Sequence, residues 1–285
     1  MKTFKNTIIA GISMMAVAFT ISSCQKGFDD KSYAPKKPLP MYNGYSNSKD
    51  IAPDNLVAYW PFNGTLTDSI SKATGVATGT SFATGVWGQG LQGASNGYAL
   101  CDAPPALADL KGFTTGVWIN TPPPSTGVIA FFSLANTKNF WGNLEMFFEN
   151  GSDNVNGKVR IHISKRDSDF TFSIDSVPNL FNKWTHVAVT YADSTCVLYV
   201  DGSSVKHGNA LSSNIPLKGD LVFTNVGKVV FGTTQFMTNP SQTSGATSQP
   251  WASYLTGKLD QVRVYNSALT SNQISALYNL EKAGR

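Results

Sequence analysis

The chain has 285 residues and a formal net charge of +4, from 22 Lys and Arg against 18 Asp and Glu. The basic residues are scattered, whereas electrostatic binding to nucleic acid requires clustered Lys and Arg that displace counterions from phosphates. Charged residues make up 14% of the chain and aromatic residues 12%. This composition excludes nucleic acid as the partner and fits a protein whose ligands are neutral and rich in hydroxyl groups.

Residues 1–23 have the pattern of an export signal. Lys2 and Lys5 form a positive n-region before an apolar stretch at residues 8–21. A helix needs roughly 20 apolar residues to cross a membrane, and this stretch is shorter and is interrupted by Gly11. The pattern therefore predicts a cleaved signal peptide rather than a transmembrane helix.

The signal ends in the residues ISSC at positions 21–24, a pattern that resembles the lipobox of bacterial lipoproteins. The resemblance implies that Cys24 is acylated and attached to the membrane, where each buried methylene contributes about 0.8 kcal/mol. The alternative is an ordinary secretory peptide with an incidental cysteine. Asp29 and Asp30 resemble the acidic signals of outer-membrane lipoproteins that are exposed at the cell surface. A periplasm-facing lipoprotein is the other possibility.

Residues 24–54 predict a lipidated, flexible tether. They are rich in Lys, Pro, Asn, Ser and Asp and show no apolar periodicity, which is typical of extended, mobile chain. Cys101 and Cys196 then remain as the cysteines not committed to lipid. Two outcomes stay open for them, a disulfide formed in an oxidising compartment or two buried free thiols.

From residue 55 onward, short runs rich in Val, Ile, Phe, Tyr and Trp alternate with Gly, Pro, Asn and Asp, which predicts β-strands. The predicted strands are 56–62, 117–120, 128–134, 144–148, 158–164, 169–174, 184–191, 196–200, 226–231 and 255–265. Between two of them, Asp201 and Gly202 predict a tight hairpin turn, because both central positions of such a turn need residues that tolerate positive φ.

One helix is predicted, near the C-terminus. Thr270 and Gln273 are spaced as a capping box, and Ile274, Leu277 and Tyr278 then share one helical face. Ten or so strands with one short helix predict an all-β fold, a two-sheet antiparallel jelly-roll sandwich. Residues 55–285 are long enough for one sizeable core, and we predict a single domain there.

Four segments together resemble a known family. They are LVAYWPFNG at 56–64, WTHVAVT at 184–190, LYVDG at 198–202 and GKLDQVRVYN at 257–266. In this order they resemble the laminin-G-like, concanavalin A-like jelly-roll domains, over nearly all of residues 55–282. The resemblance implies two curved antiparallel sheets. It also implies a function among those of lectins, adhesion modules, accessory domains of glycosidases and glycan hydrolases.

The resemblance also implies a candidate calcium site, since many relatives carry one near a sheet edge. Asp260 occupies the Gly-x-Leu-Asp position of the family, and alternation places it on the core-directed face with Val262 and Val264. Asp68 matches the aspartate that the family uses as the opposite ligand. A carboxylate on a buried face must be paired or metal-bound. We therefore expect either Ca²⁺ at Asp68 and Asp260 or carboxylates satisfied by backbone amides and serine hydroxyls.

A sugar site needs flat aromatic surface beside hydrogen-bonding groups. Trp141 and Trp251 match none of the family's core motifs, and Trp251 lies in a polar stretch, residues 235–253, that is unusually long for a loop. We expect Trp141, Trp251 and Tyr254 to contact ligand, with Asn143 and Gln249 as polar neighbours. The alternative is that both tryptophans cover the core beneath their loops.

A third set of polar residues follows the middle strands, with Glu145 and Glu149 beside Arg160 and His162. The laminarinase and lichenase group of glycan hydrolases carries Glu-x-Asp-x-Glu on one strand, and here Phe147 replaces the central aspartate. Glutamates at i and i+4 on a strand lie roughly 13 Å apart at Cα, whereas retaining hydrolysis places the carboxyl groups about 5 Å apart. We therefore expect Glu145, Arg160 and His162 to form a solvated or sugar-facing surface, not a catalytic pair.

Together these observations predict a lipid-anchored outer-membrane protein that binds polysaccharide or oligosaccharide without cleaving it, and passes it to an outer-membrane uptake partner. Two alternatives remain open. One is a glycoside hydrolase or lyase that uses the jelly-roll groove, and the other is an adhesion module that binds proteins.

Overall fold

The computed structural model describes residues 38–165, 168–206, 213–214 and 219–285. Within these ranges, Pro40–Arg285 forms one compact unit. In the same ranges, no helix combines the length and apolarity that crossing a membrane requires. The predicted signal peptide, Cys24, Asp29 and Asp30 lie outside the described residues.

The described part of the chain consists mainly of short strands. In chain order they are β1 (Leu56–Trp60), β2 (Gly75–Thr78), β3 (Ser81–Thr84), β4 (Gln89–Gln92), β5 (Tyr98–Cys101), β6 (Phe113–Asn120), β7 (Val128–Asn136), β8 (Leu144–Glu149), β9 (Gly157–Lys165), β10 (Ser168–Val177), β11 (Thr185–Ala192), β12 (Thr195–Val200), β13 (Ser203–Ser204), β14 (Ser213–Asn214), β15 (Val226–Phe231), β16 (Ala252–Ser253) and β17 (Lys258–Tyr265). One α-helix, α1 (Ser271–Lys282), follows, and 3₁₀ turns occupy Ser48–Asp50, Pro53–Asn55, Pro105–Asp109 and Gln235–Met237.

These strands form two sheets. The first sheet has the order β13-β12-β11-β6-β17-β4-β3, with β1 added on β17 and β14 on β12. The second has the order β10-β9-β8-β7-β15-β5-β2, with the short β16 added in parallel on β7. Neighbouring strands in these orders are otherwise antiparallel, which confirms the predicted two-sheet jelly-roll sandwich.

The core lies between the two sheets and follows the period of two that strands require. Met146 on β8, Ile161 on β9, Val187 on β11 and Val262 on β17 are all fully buried there. The strands β2–β5 were not predicted. They are four residues each, and Gly75–Thr78 is largely exposed, so no apolar alternation marks it.

The segment before β1 corrects the predicted tether boundary. Residue 54 was the expected end of the flexible region, but the compact unit begins at Pro40. Ile51 is 1% exposed and packs with Tyr42 and Tyr45 against the apolar face of α1. The sequence did not predict this packing, because Tyr42, Tyr45 and Ile51 are spaced irregularly along a polar segment and show no apolar periodicity.

Two predictions from local sequence are confirmed, namely the capping box of the C-terminal helix and the tight turn at Asp201 and Gly202. The Thr270 side chain accepts a hydrogen bond from the Gln273 amide, and the Gln273 side chain accepts one from the Thr270 amide, so α1 begins with a capping box. Asp201 and Gly202 have φ of 48° and 76°, as the β12–β13 hairpin turn requires. The Cys101 and Cys196 thiols are free and buried, Cys101 in the second sheet and Cys196 in the first.

A buried ion pair fixes α1 to the outer face of the first sheet. Arg263 Nε donates to Glu281 Oε1 at 2.6 Å, and Trp118 Nε1 donates to Glu281 Oε2 at 2.7 Å. The Arg263 guanidinium also lies 3.9 Å from the Tyr59 ring centroid and donates to Ser48 Oγ at 3.2 Å. The same contact network joins both ends of the compact unit, because Ser48 N donates to the Arg285 carbonyl.

Candidate functional site

Two loops cover part of the outer face of the second sheet. The first loop connects β7 to β8 (residues 137–143), and the second connects β15 to β17 (residues 232–257). Residues from both loops pack with Val128, Ala130 and Phe147 into a small apolar cluster outside the main core. The expected ligand-binding aromatics all lie in these two loops.

Gln235 holds the two loops together. It is fully buried, and its Oε1 accepts the Asn136 amide at 2.7 Å. Its Nε2 donates to the carbonyls of Asn139 and Phe140 at 2.8 and 3.0 Å. Thr243 adds a further bond to the Asn139 carbonyl at 2.7 Å. Gln235 carried no functional signal in the sequence, because its role depends on a loop that is distant along the chain.

The aromatic rings form one continuous cluster. Trp141 stacks on Phe147 with parallel planes and a centroid distance of 5.4 Å. Trp251 lies 5.9 Å from the Trp141 ring and 6.1 Å from Phe140, with which it is nearly parallel. Phe236 fills the space behind all three rings. The structure therefore brings together Trp141 and Trp251, which are 110 residues apart in the sequence.

The rings differ in exposure. Trp251 is 40% exposed, whereas Trp141 is half-buried between Phe147 and Trp251. Trp251 is thus an open aromatic surface that packs on a base of other aromatic rings. Phe140 and Phe236 were missed as members of the cluster, since nothing in their sequence context distinguishes them from core phenylalanines.

A cavity of about 290 Å³ with a polar lining lies between the β6–β7 loop and the segment that follows Trp251 in the chain. Tyr254 is one wall, and the hydroxyl residues Ser125, Thr126, Ser253 and Thr256 surround it. The chain at Gly127 touches Trp251 directly, because a Cβ there would lie 1.6 Å from the Trp251 carbonyl oxygen. Only glycine fits there, so the β6–β7 loop and the backbone of Trp251 pack closely together. Tyr254 itself donates to the Met237 carbonyl at 2.9 Å.

We expected Asn143, Glu145 and His162 to contact ligand directly. This expectation is wrong, because all three side chains are buried. Asn143 is 1% exposed and bonds the Ala135 and Thr224 carbonyls. Glu145 is fully buried, and Ser133 Oγ donates to it at 2.7 Å. His162 is 2% exposed, beneath the Trp141 ring. The two loops cover this sheet face, which from the strand pattern alone was expected to be open.

Gln249 and Arg160 remain at least partly accessible. Gln249 is half-buried, and its Nε2 donates to the Thr247 carbonyl at 3.0 Å. Arg160 forms ion pairs with Glu149 and with Asp175, the latter at 2.9 Å. A glutamate therefore compensates the charge of Arg160, as expected, and that glutamate is Glu149.

Burial sets the protonation of the covered groups. Desolvation raises the pKa of Glu145 to about 7, although the Ser133 hydroxyl and the nearby Gly142 and Gln235 amides oppose the shift. Desolvation also lowers the pKa of His162 to about 4, against the attraction of Asp169. Near neutral pH His162 is therefore uncharged, and Glu145 is partly protonated.

The proposed calcium ligands are satisfied by the protein itself. Asp68 is fully buried, and its Oδ1 accepts the amides of Tyr59 and Ile70 at 2.5 and 3.2 Å. Its Oδ2 accepts the amide and the hydroxyl of Ser71 at 2.7 and 2.5 Å. N–H and O–H donors aimed at both oxygens occupy the positions that a cation would need.

Asp260 is also satisfied, and its predicted orientation is wrong. A β-bulge at Gln261, which has φ of 49°, shifts the alternation. Leu259 and Val262 both face the core, so Asp260 points to the opposite face. There Oδ2 accepts the Val86 and Trp87 amides at 2.8 and 3.1 Å, and Oδ1 accepts from Gln261. Desolvation raises the pKa of Asp260 to about 6, and these donors oppose the shift.

The residues present therefore do not fit a shared calcium site. In the described ranges no group of three or more His, Cys, Asp or Glu side chains is placed to hold a metal ion. We expect the melting temperature to change by less than about 1 °C when EDTA replaces added CaCl₂, because no coordination energy is lost. Differential scanning calorimetry measures this, and a calcium-dependent rise of several degrees would restore the metal site.

Comparison with known proteins places the fold in a recognised group. A family model described as the concanavalin A-like lectin/glucanases superfamily matches residues 92–275. Among curated proteins, adhesion G-protein coupled receptor V1 from Danio rerio is 24% identical over 172 residues. That match covers 60% of this chain but 2% of the receptor.

Solved structures agree with the family match. The binding domain of paraclostridial mosquitocidal protein 1 aligns with a TM-score of 0.58 and 15% identity, over 79% of this chain and 52% of that one. Domain 4 of an extracellular arabinanase from Geobacillus stearothermophilus, solved with arabinotriose, aligns with a TM-score of 0.52 and 19% identity, over 78% and 98%. This chain thus spans about half of the toxin chain. At these identities the likeness shows the fold alone.

Proposed function

Since the chain belongs to the concanavalin A-like lectin/glucanase superfamily, we propose that it is a non-catalytic carbohydrate-binding protein that captures polysaccharide at Trp251. In this proposal lipid on Cys24 anchors it to the outer membrane, with the domain exposed at the cell surface. The captured glycan is then passed to an uptake protein in the same membrane. Tethering many copies at one surface makes weak single-site affinity sufficient.

The observation that carries the proposal is the exposed ring of Trp251 on its aromatic base. The apolar face of a pyranose stacks on such a ring, and the base restricts the ring to one orientation before ligand arrives. The cavity lined by Tyr254 adds the hydroxyl groups of Ser125, Thr126 and Thr256, a residue type that can both donate and accept hydrogen bonds. The arabinanase domain solved with arabinotriose supports a sugar as the ligand class for this fold.

The positions of the glutamates support binding without cleavage. Hydrolysis needs an acid and a second carboxylate on either side of a glycosidic bond. Glu145 is enclosed beneath the loops and bonded to Ser133, while Glu149 is ion-paired with Arg160. Release of reducing sugar from a polysaccharide panel would favour the hydrolase alternative instead. Capture of a protein partner without glycan would favour the adhesion alternative.

The decisive test is the Trp251→Ala variant in affinity electrophoresis on gels that contain neutral polysaccharides. We expect its affinity to fall by about tenfold or more, because loss of one stacked tryptophan at a binding surface costs roughly 1–2 kcal/mol. The variant should fold normally, since the Trp251 side chain is substantially exposed. Equal retardation of the variant and the unmodified protein would overturn the proposal.

A matched control is available at Trp87, which is 42% exposed against 40% for Trp251. Trp87 lies in the β3–β4 turn of the first sheet, so Trp87→Ala removes an equally exposed indole from the other sheet. We expect Trp87→Ala to keep the unmodified retardation. A similar loss in both variants would show that polysaccharide binding is not specific to the Trp251 surface.

A further inference from the structure

A second cavity, of about 360 Å³, lies on the outer face of the first sheet. Trp118 on β6 forms its floor, because the neighbouring Val117 and Ile119 face the core. Its other walls come from the β3–β4 turn, the loop before β11, the β12–β13 turn and the end of α1. Small-molecule sites in proteins have volumes of roughly 300–1,000 Å³, so this cavity is large enough for a sugar residue.

Three aromatic side chains line the cavity. The rings of Trp118 and Tyr278 are stacked, with centroids 5.4 Å apart and planes at 19°. Trp184 is half-buried and supplies a third ring. Gly202 allows the hairpin turn to close against Tyr278, since a Cβ there would lie 3.0 Å from that ring.

The charges in the cavity are unequal. Both carboxylate oxygens of Asp201 already accept hydrogen bonds. Oδ1 accepts one from the His186 amide at 2.9 Å, and Oδ2 accepts one from Lys183 Nζ at 2.8 Å. Lys282 Nζ donates to the Tyr278 hydroxyl at 3.0 Å, and no described carboxylate forms an ion pair with Lys282. Two ammonium groups therefore face one occupied carboxylate, so the cavity repels cations and attracts anions.

We infer that this cavity is a second saccharide-binding site, specific for a sugar residue that carries a carboxylate or sulfate group. The flat face of Trp184 stacks on the sugar ring, and Lys282 pairs with the anionic group. The site is separate from Trp251, because the two lie on the outer faces of different sheets. Its existence does not depend on the function proposed for Trp251.

One wall of the cavity is positioned by Asp260. The Val86 backbone lines the cavity, and its amide is held by Asp260 Oδ2 at 2.8 Å. Gly85 is required beside it, since a Cβ there would lie 2.3 Å from that oxygen. The Asp260 carboxylate, one of the two candidate calcium ligands, therefore fixes the turn that borders this cavity.

The test uses isothermal titration calorimetry on the full-length protein in a Trp251→Ala background, which removes the first site. The probes are trigalacturonic acid, a sulfated galactose trisaccharide and uncharged galactotriose. We expect both anionic probes to bind at least tenfold more tightly than galactotriose, with the difference falling as salt is raised from 20 to 300 mM. Absence of binding by both anionic probes, or equal binding of all three, would overturn the inference.

Two variants in this background locate the binding. Lys282→Gln keeps a donor for the Tyr278 hydroxyl, and we expect it to weaken the anionic probes about tenfold while galactotriose is unaffected. Trp184→Ala should weaken all three probes. Lys111→Gln is the matched control, because Lys111 is 65% exposed and 3.9 Å from its partner Asp220. Unchanged affinity in Lys282→Gln, or an equal loss in Lys111→Gln, would contradict the assignment even if Trp184→Ala fails to fold.

Discussion

Replacing Glu281 with alanine is expected to lower the free energy of unfolding by about 3–5 kcal/mol, since removal of one member of a buried ion pair leaves the other charge uncompensated. Arg263, at 3% side-chain exposure, would lose its carboxylate partner, while its contacts with Tyr59 and Ser48 would remain. Trp118 Nε1 would lose its acceptor at the same time. Urea unfolding followed by tryptophan fluorescence measures the change.

Two further variants separate the lost charge pair from the lost side chain. Glu149→Ala removes a glutamate whose partner is also an arginine, but the Glu149 side chain is 37% exposed. We expect this control to cost less than about 1 kcal/mol, as exposed ion pairs do. The double variant Arg263→Met with Glu281→Leu should recover at least half of the loss. A double variant no more stable than Glu281→Ala would contradict the uncompensated-charge explanation.

Glu145→Gln is expected to become progressively more stable than the unmodified protein as pH rises from about 4.5 to 8. Burial raises the pKa of Glu145 from 4.5 in the unfolded chain to about 7, so the folded state holds the proton more tightly. The stability associated with this proton is complete below pH 4.5 and is lost as pH rises through 7. A shift of this size corresponds to about 3 kcal/mol at pH 8.

The difference between the two proteins isolates this effect. His162 lies on the strand position opposite Glu145, and its lowered pKa removes stability as pH falls from 6.5 towards 4, the opposite direction. His162 is present in both proteins, so its contribution cancels. Urea unfolding at pH 5 to 8.5 provides the measurement. Ser133→Ala should move the titration midpoint upward, because the Ser133 hydroxyl stabilises the charged form. Parallel stability curves for Glu145→Gln and the unmodified protein would refute the prediction.

The sequence predicted the fold well where local chemistry determines the structure. The α1 capping box and the Asp201-Gly202 turn depend on residues close along the chain, and both are confirmed. The strand predicted at residues 158–164 also matches β9, Gly157–Lys165. Asp260 was placed on the wrong face, because a bulge is a single inserted residue that leaves no trace in the hydrophobic pattern.

The site was less predictable, since its geometry depends on loops that fold over a sheet. Trp141 and Trp251 could be selected because they fall outside the family's core motifs. The burial of Glu145 and His162 could not be inferred, because their strands alternate as they would on an open sheet face. The cavity at Trp184 was missed because several of its walls, among them α1 and the β3–β4 turn, are distant from Trp184 along the chain.

The proximity of the two ends of the compact unit has a practical consequence. Ser48 N donates to the Arg285 carbonyl at 3.2 Å, and Arg285 also donates to the Pro40 carbonyl. Chain ends that lie side by side permit circular permutation, so a short glycine-rich linker from Arg285 to Pro40 would join them with little strain. New termini opened at the exposed Gly151 would then carry a label in the turn between β8 and β9, leaving the native junction free of any fusion.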